Sequence, residues 1–271
     1  MNEPRTPFRQ PAHAHARALL AGAALCAMAL PAAWAQQTLS GADEWSEGRS
    51  QWGLGIGLGF ERKPYREFDD KAQVIPLILY ENRYVSILGP SLDVKLPSAG
   101  PVSFRLRARY ANDGYKSDDS PFLVGMDERK AGFWLGGAAT WRNEFANLSA
   151  ELLADASGNS KGTKFKLQLD RRFDAGAFDI TPRIAANWMD RKYVDYYYGV
   201  RSAEVNANRA FYEGKSTVNV EIGVRLGYAI APKQSVFLDV SATTLGSGIK
   251  NSPLVERSSS TAVRVGYVYR F

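Results

Sequence analysis

Alternation of apolar and polar residues, in segments of about ten, most constrains how this chain can fold. Within 102–110, apolar residues at even positions alternate with Ser103, Arg105, Arg107 and Arg109 at odd positions. Successive side chains of a strand point to opposite faces, so a strand gathers these arginines on one side, whereas a helix would scatter them. The same alternation recurs in four later segments, 162–173, 214–230, 234–246 and 259–271.

Such segments are typical of transmembrane β-barrels, whose apolar side chains face lipid while polar side chains face the lumen. A soluble β-sandwich or a lipocalin-like barrel also alternates, but it buries the apolar face and exposes the charged one to water. The repeated charged face favours the membrane barrel. We therefore predict an all-β fold, a transmembrane antiparallel β-barrel that follows a cleaved signal peptide.

The first residues predict export. A basic stretch over 5–17 precedes an apolar run over 18–30, and Pro31 ends that run. The run is shorter than the ~20 apolar residues that a spanning helix needs. Ala33-Trp34-Ala35 fits the small-x-small pattern of signal-peptidase sites. We expect three parts, with an uncleaved anchor as the alternative for the first: a signal peptide over 1–35, a periplasmic lead-in over 36–49 and the barrel over 50–271.

The alternating segments predict eleven strands: 50–61, 72–80, 83–96, 101–111, 130–142, 147–157, 162–173, 177–190, 214–230, 234–246 and 259–271. A closed barrel with both ends in the periplasm needs an even number. Gly89-Pro90 interrupts the third segment, and proline removes a donor from the strand ladder. Splitting this segment gives about twelve strands; leaving the first segment outside the barrel gives ten. The long connections 112–129, 191–213 and 247–258 are expected outside the cell.

Charges of both signs fall on the face predicted to line the lumen. The candidate lumen charges are Arg105, Arg107, Arg109, Glu221 and Arg225. Because lipid cannot satisfy charges, we favour a lumen filled by ion pairs between facing walls. A narrow water-filled pore with a mild preference for anions is the alternative.

The residue types of the exported part restrict its chemistry. Cys26, His13 and His15 are the only cysteine and histidines, and all three lie within 1–35. A cysteine nucleophile, a histidine base and a His/Cys zinc site are therefore excluded, and we predict a non-enzymatic protein with no catalytic, metal or cofactor-binding residues. Two acidic pairs in predicted outer loops, Asp69-Asp70 and Asp118-Asp119, leave cation binding, contact with lipopolysaccharide or carboxylate acid–base chemistry open.

The charge distribution, the lipid-facing side chains and the last strand each allow a prediction about binding partners. Basic residues, which give a net charge of +6, are spread along the strands instead of forming a patch, so we expect no nucleic-acid partner. A membrane barrel contacts outer-membrane lipid and lipopolysaccharide. The last strand ends on Tyr267, Tyr269 and Phe271, which resembles the C-terminal signal that the barrel-assembly machinery recognises.

Residues 193–212 resemble a stretch of the MipA/OmpV family of outer-membrane proteins. In that family a Tyr-Tyr-Gly-Val motif precedes a segment that contains Glu and Arg and then a Tyr. The matching residues, together with Tyr196, form a candidate functional loop of Tyr196, Tyr197, Tyr198, Gly199, Val200, Glu204, Arg209 and Tyr212. Other parts resemble the family in the same order, namely 53–60, Pro64-Tyr65, 74–80, 252–255 and 269–271.

The resemblance implies an outer-membrane barrel without agreed catalytic residues. The family's named member is a scaffold that links a murein-degrading lytic transglycosylase to a bifunctional penicillin-binding synthase; other members are linked to osmotic and antibiotic responses or to adhesion. We therefore expect a scaffold for murein-remodelling enzymes or an envelope-adaptation protein, with a narrow channel for small solutes as the alternative. The 191–213 loop either presents its tyrosines outward or folds inward and plugs the lumen.

Overall fold

The computed structural model describes residues 50–271, which form a closed antiparallel β-barrel. The predicted signal peptide and lead-in lie outside the described residues. The strands are β1 (Gln51–Arg62), β2 (Gln73–Glu81), β3 (Val85–Leu88), β4 (Ser91–Lys95), β5 (Val102–Ala111), β6 (Gly132–Arg142), β7 (Asn147–Asp155), β8 (Thr163–Asp170), β9 (Phe173–Ala175), β10 (Phe178–Met189), β11 (Thr217–Ala231), β12 (Gln234–Thr244) and β13 (Ser259–Arg270).

Twelve strands make the wall, because β9 continues β8 along the same edge of β10. Each strand pairs with the next along the chain, and β1 closes the ring against β13, with Gly53 opposite Arg270. The ten-strand alternative is wrong, since β1 is paired on both edges. The split at Gly89-Pro90 is confirmed, since these two residues turn β3 back into β4.

The side chains alternate as the sequence predicts. On β1 and β5 the apolar residues point outward, and Ile56 and Leu106 are 57% and 54% exposed. The arginines at 105, 107 and 109 point inward and are buried. A soluble sandwich or lipocalin-like barrel would show the opposite arrangement. The exposed apolar belt is the surface that lipid covers in a membrane barrel.

The two ends of the barrel differ in their connections. The end that holds Gln51 and Phe271 carries only short turns, at 82–84, 96–101, 143–146, 176–177 and 232–233. The opposite end carries the longer connections, at 63–72, 112–131, 156–162, 190–216 and 245–258. In outer-membrane barrels the short turns face the periplasm and the long loops face outside. The ends are named periplasmic and outer on this basis.

Aromatic side chains gather near both ends, as expected of interfacial girdles. The rings of Trp52 and Tyr80 lie 4.4 Å apart at the periplasmic end, and those of Tyr110 and Phe133 lie 5.1 Å apart toward the outer end. The backbone N–H of Phe271 donates to the Trp52 carbonyl over 2.9 Å, at the seam between β13 and β1. Recognition of Tyr267, Tyr269 and Phe271 by the assembly machinery stays a prediction.

The helices of the described part lie in the outer connections. They are α1 (Arg191–Tyr198), α2 (Ser247–Lys250) and two 3-10 turns, Pro121–Leu123 and Ser202–Glu204. Over residues 50–271, each helix is too short or too polar to cross a bilayer. The longest connection, 190–216, contains α1 and the predicted functional loop, and it determines how the outer end is closed.

Glycine at position 136 lets β6 pack closely against β7. A Cβ atom built there would lie 1.9 Å from the carbonyl oxygen of Leu152, which is backbone and cannot rotate away. The adjacent Gly137 faces outward, and a Cβ there would meet only the Arg105 carbonyl at 3.5 Å, an ordinary contact. Two neighbouring glycines on one strand therefore differ in their tolerance of a side chain.

We expect Gly136→Ala to lower the free energy of unfolding by ~1–3 kcal/mol, the usual cost of overpacking. Gly137→Ala is the matched control and should change it by less than ~0.5 kcal/mol. Urea unfolding in lipid vesicles, followed by tryptophan fluorescence, measures both. Equal stability of the two variants would contradict this account of the β6–β7 contact.

Candidate functional site

The lumen is crossed by a first group of ion pairs from β4, β5 and β7. The Arg107 guanidinium donates to both oxygens of Asp93, over 2.7 and 2.5 Å, and also pairs with Glu151. Arg109 donates to the two oxygens of the same Glu151 over 2.9 and 2.6 Å. These contacts pass over β6, where Gly136 and Ala138 lie opposite Arg107 and Glu151. The small residues leave the space that the arginines use.

A second group lies on the facing wall, from β8, β10, β11, β12 and β13. Arg183 donates to Glu221 over 2.8 Å and lies 3.1 Å from Asp239. It reaches Asp239 over Gly223, where a Cβ atom would lie 2.5 Å from the guanidinium carbon. Further cations complete the group, with Lys166 at 3.4 Å from Glu221 and Arg264 at 3.4 Å from Asp239.

Both groups are almost completely buried, and each places three basic side chains around two carboxylates. Buried charges persist only when partners replace the water that they lose. We call these two groups the ion-pair belt. The belt lies across the middle of the barrel and agrees with the prediction of an ion-paired lumen for Arg105, Arg107, Arg109 and Glu221.

Asp93 belongs to the belt, but the sequence analysis missed it. It lies in the segment that Gly89-Pro90 interrupts, and this interruption hides the alternation of apolar and polar residues. The signal was present, because Ser91, Asp93 and Lys95 alternate with Leu92 and Val94 in the short strand β4.

Arg225 behaves differently from the other candidate lumen charges. Its guanidinium lies 4.0 Å from the centre of the Phe237 ring, a cation–π contact. Among residues 50–271, no carboxylate forms a salt bridge with it. Arg225 lines a cavity of about 240 Å³ at the periplasmic mouth, together with Trp52, Arg172 and Arg270. This mouth combines cationic and aromatic groups.

The tyrosine-rich loop folds inward and plugs the outer half of the barrel. Asp190 caps α1 by accepting from the Tyr193 N–H over 2.8 Å. One face of the helix, with Tyr193, Val194 and Tyr197, is buried against the inward-facing Trp134. The inward alternative for the 191–213 loop is therefore the one found. Between this plug and the belt lies a cavity of about 220 Å³, with Tyr193, Glu151 and Lys166 in its lining.

The rest of the family-like motif joins this plug to the neighbouring loops. Val200 and Tyr212 exchange backbone hydrogen bonds, over 2.8 and 3.2 Å. Glu204 accepts from the Arg129 guanidinium over 2.8 Å, and Arg209 donates to the Phe122 carbonyl over 2.6 Å. We call this set of contacts the loop clasp. It ties 190–216 to 112–131, so the motif has a structural role in holding the two loops together.

The remaining tyrosines also anchor the plug. The Tyr196 hydroxyl accepts from the Lys130 N–H over 2.9 Å, and the Tyr197 hydroxyl donates to the Lys130 carbonyl over 3.1 Å. The Tyr198 ring stacks on Tyr65 at 5.4 Å. Burial raises the pKa of Tyr197 and of Tyr198, so both stay protonated.

The two acidic pairs of the outer loops face one cavity. Asp69, Asp70, Asp118 and Asp119 line a common cavity of about 580 Å³ between 63–72 and 112–131. Lys71 neutralises Asp69 over 2.9 Å, and Asp70 accepts from the Lys63 N–H over 2.9 Å. Over residues 50–271, no group of three or more acidic, His or Cys side chains is arranged to hold a metal ion.

The chain matches known outer-membrane proteins. A family model described as MltA-interacting protein MipA matches residues 54–271. Outer membrane protein Omp26La of Vibrio anguillarum is 30% identical over 157 residues, 58% of this chain and 61% of that protein, so this match spans less than two thirds of the relative. The MltA-interacting protein of Escherichia coli K12 is 23% identical over 224 residues, 82% of this chain and 90% of that protein.

A solved outer membrane channel from Pseudomonas putida F1 superposes with a TM-score of 0.42 and 12% identity, covering 83% of this chain and 96% of that one. This likeness is too low to inform function. The family match and the named relatives are therefore the informative similarities.

Glu204 makes the loop clasp sensitive to acid. Burial alone would raise its pKa, but the hydrogen bonds from Arg129, Arg201 and Asp127 outweigh burial and lower the pKa below its ordinary value of 4.5. The ionised form therefore stabilises the folded loop. This contribution is complete above pH 4.5 and is lost as the pH falls through the lower pKa of the folded state.

We expect hydrogen exchange of the backbone amides in 199–212, corrected for intrinsic rates, to accelerate as the pH falls below 4.5. Glu204→Gln should exchange faster at neutral pH, because Arg129 loses its ionised partner, and should show little further change on acidification. If that variant kept the wild-type pH dependence, another group would control the clasp.

Proposed function

This chain belongs to the MltA-interacting protein MipA family, and on that premise we propose that it is a non-enzymatic scaffold for murein-remodelling enzymes. A more general role in adapting the cell envelope is included in this proposal. The chain is an outer-membrane β-barrel, in agreement with relatives that are named outer membrane proteins. The partners we propose are a lytic transglycosylase and a penicillin-binding protein, with the barrel-assembly machinery needed for insertion.

The filled lumen is the observation that carries this proposal. The ion-pair belt fills the middle of the barrel, and the plug of α1 covers it from outside. A barrel filled at two levels leaves little room for solutes, which favours a role at its exposed surfaces. The Escherichia coli relative is named for its interaction with MltA, which supports a protein partner.

The periplasmic mouth is the part that we propose for contact with murein enzymes. The turns at this end are short, and a flat rim gives little surface for a partner. The mouth cavity adds a concave site in which Arg225 lies over the Phe237 ring and Arg270 forms part of the lining. Arginine and aromatic side chains are enriched at the points that dominate binding energy in protein interfaces. An acidic segment of a periplasmic enzyme is complementary to this site.

We expect Arg225→Glu to weaken binding of a purified lytic transglycosylase to the detergent-solubilised barrel by ~10-fold or more, since it reverses the charge at the mouth. Lys250→Glu, an exposed change in the outer loops, is the control and should bind as the wild type does. Biolayer interferometry with immobilised barrel measures both affinities. Absence of binding by the wild type would remove the scaffold proposal.

A narrow channel for small solutes is the second candidate. The excess of cations in the belt and at the mouth gives such a channel a preference for anions. Planar-bilayer recording of the purified protein distinguishes the two. We expect no stable open state for the wild type. Discrete conductance steps that change on charge reversal at Arg105 or Arg109 would favour the channel.

A further inference from the structure

Arg225 is held on the inner wall by packing instead of by an ion pair. Its guanidinium carbon lies 4.0 Å from the centre of the Phe237 ring. The ring fits there because position 266, opposite Phe237 on β13, is glycine, where a Cβ atom would lie 2.5 Å from the ring. A guanidinium that stacks on a ring uses its flat face, so its N–H groups, which lie in the plane, stay available for hydrogen bonds.

The carboxylate nearest in register to Arg225 is already used. Arg225 lies opposite Asp239 in the pairing of β11 with β12. Asp239 instead accepts from Arg183 over 3.1 Å and from Arg264 over 3.4 Å. Among residues 50–271, Arg225 makes neither a salt bridge nor a hydrogen bond. Because a half-buried cation has lost part of its water, an anion that supplies acceptors is favoured beside it.

The carboxylates that line the mouth cavity are also taken by other cations. Asp179 lies 3.8 Å from Arg172, and Glu81 pairs with Lys95. Arg225 therefore brings one positive charge to the cavity that the carboxylates of the lining do not neutralise. A ligand that compensates this charge carries a single negative charge.

The rest of the lining combines a second donor with apolar side chains. Thr181 lies opposite Arg225 in the pairing of β10 with β11, so its hydroxyl lies on the same face of the sheet as the guanidinium. Leu79 and Leu88, which pair across β2 and β3, form an apolar part of the lining. The volume of about 240 Å³ is just below the ~300–1,000 Å³ of pockets for drug-sized ligands, so the cavity suits a small molecule.

We propose that the mouth cavity binds a small organic acid with an apolar body. Its carboxylate accepts hydrogen bonds from the Arg225 guanidinium, whose fork matches the two carboxylate oxygens, and from the Thr181 hydroxyl. Its apolar body lies along Leu79 and Leu88. This inference goes beyond the scaffold role, because the ligand is a small molecule and no protein partner is needed.

Isothermal titration calorimetry of the mature barrel in dodecyl maltoside at neutral pH tests the class of ligand. The probe is phenylacetate, which combines one carboxylate with a compact apolar ring. Phenylacetamide has nearly the same shape without the charge, and acetate has the charge without the ring. Each compound is also titrated into micelles without protein, and that heat is subtracted to remove partition into detergent.

We expect the wild type to bind phenylacetate at least ~10-fold more tightly than either analogue. The amide loses the charge-assisted hydrogen bonds, and acetate loses the burial of the ring. Phenylacetamide that binds as tightly as phenylacetate would overturn the proposal, because the anion would then play no part. Absence of phenylacetate binding would overturn it as well.

Variants of the barrel locate the site. Arg225→Gln should weaken phenylacetate binding by ~10-fold or more, because the charged donor is lost. Arg83→Gln is the matched control and should change the affinity by less than ~2-fold. Arg83 is an exposed arginine of the same end that lies 4.8 Å from the centre of the Tyr84 ring, outside the cavity lining. Equal affinities of the two variants would exclude the assigned site.

Thr181→Val provides a second test in which the charge of the cavity is unchanged. It removes only the hydroxyl and should weaken phenylacetate binding by about fivefold, the effect of one hydrogen bond. Retarded migration of the unheated protein on a denaturing gel confirms that each variant is folded before it is measured. Because these titrations contain the barrel alone, their failure would leave the binding of a lytic transglycosylase to be decided separately.

Discussion

The structure depends on charges that lipid cannot accept and that the narrow lumen must satisfy. An arginine on the inner wall has lost most of its water, so it remains there only if carboxylates replace that hydration. Arg107 is held between Asp93 and Glu151, and Arg183 between Glu221 and Asp239. Each arginine reaches across an intervening strand, which requires glycine or alanine at the crossing point. The pairing of the charges therefore depends on how closely the strands of the wall pack.

Filling the lumen with ion pairs has a functional consequence. A lumen stabilised in this way is filled by side chains, and the buried tyrosines of α1 fill it again on the outer side. The family-like motif that follows α1 contributes loop contacts through Glu204 and Arg209. Surfaces remain for function, namely the periplasmic mouth around Arg225 and the opening beside β2. The first lies at the periplasmic end, and the second lies in the outer half of the wall.

The opening beside β2 shows how one short hairpin changes a barrel. Because Gly89 and Pro90 end β3 after four residues, the outer half of β2 pairs with β1 alone within the described chain. Pro76 fits this edge because it offers no donor. In lipid, an unpaired edge must be covered.

The sequence by itself determined the class of fold, the strands and the direction of their side chains. Alternation has a period of two residues in a strand, so the inward position of Arg105 and the outward position of Leu106 follow from neighbours in the chain. Turn residues such as Gly89-Pro90 are equally local, and they corrected the strand count. The resemblance at 193–212 identified the family from a short, ordered motif.

Only the tertiary structure decided which charge pairs with which, and whether the tyrosine loop turns in or out. Arg183 and Asp239 are 56 residues apart in sequence, and their contact depends on the crossing at Gly223. The inward fold of α1 depends on Trp134, Leu153 and Ile249 from three other parts of the chain. The open edge of β2 follows from the register of its neighbours. Contacts between distant segments leave no periodic pattern in the sequence. They can therefore be identified only from the three-dimensional structure of the closed barrel.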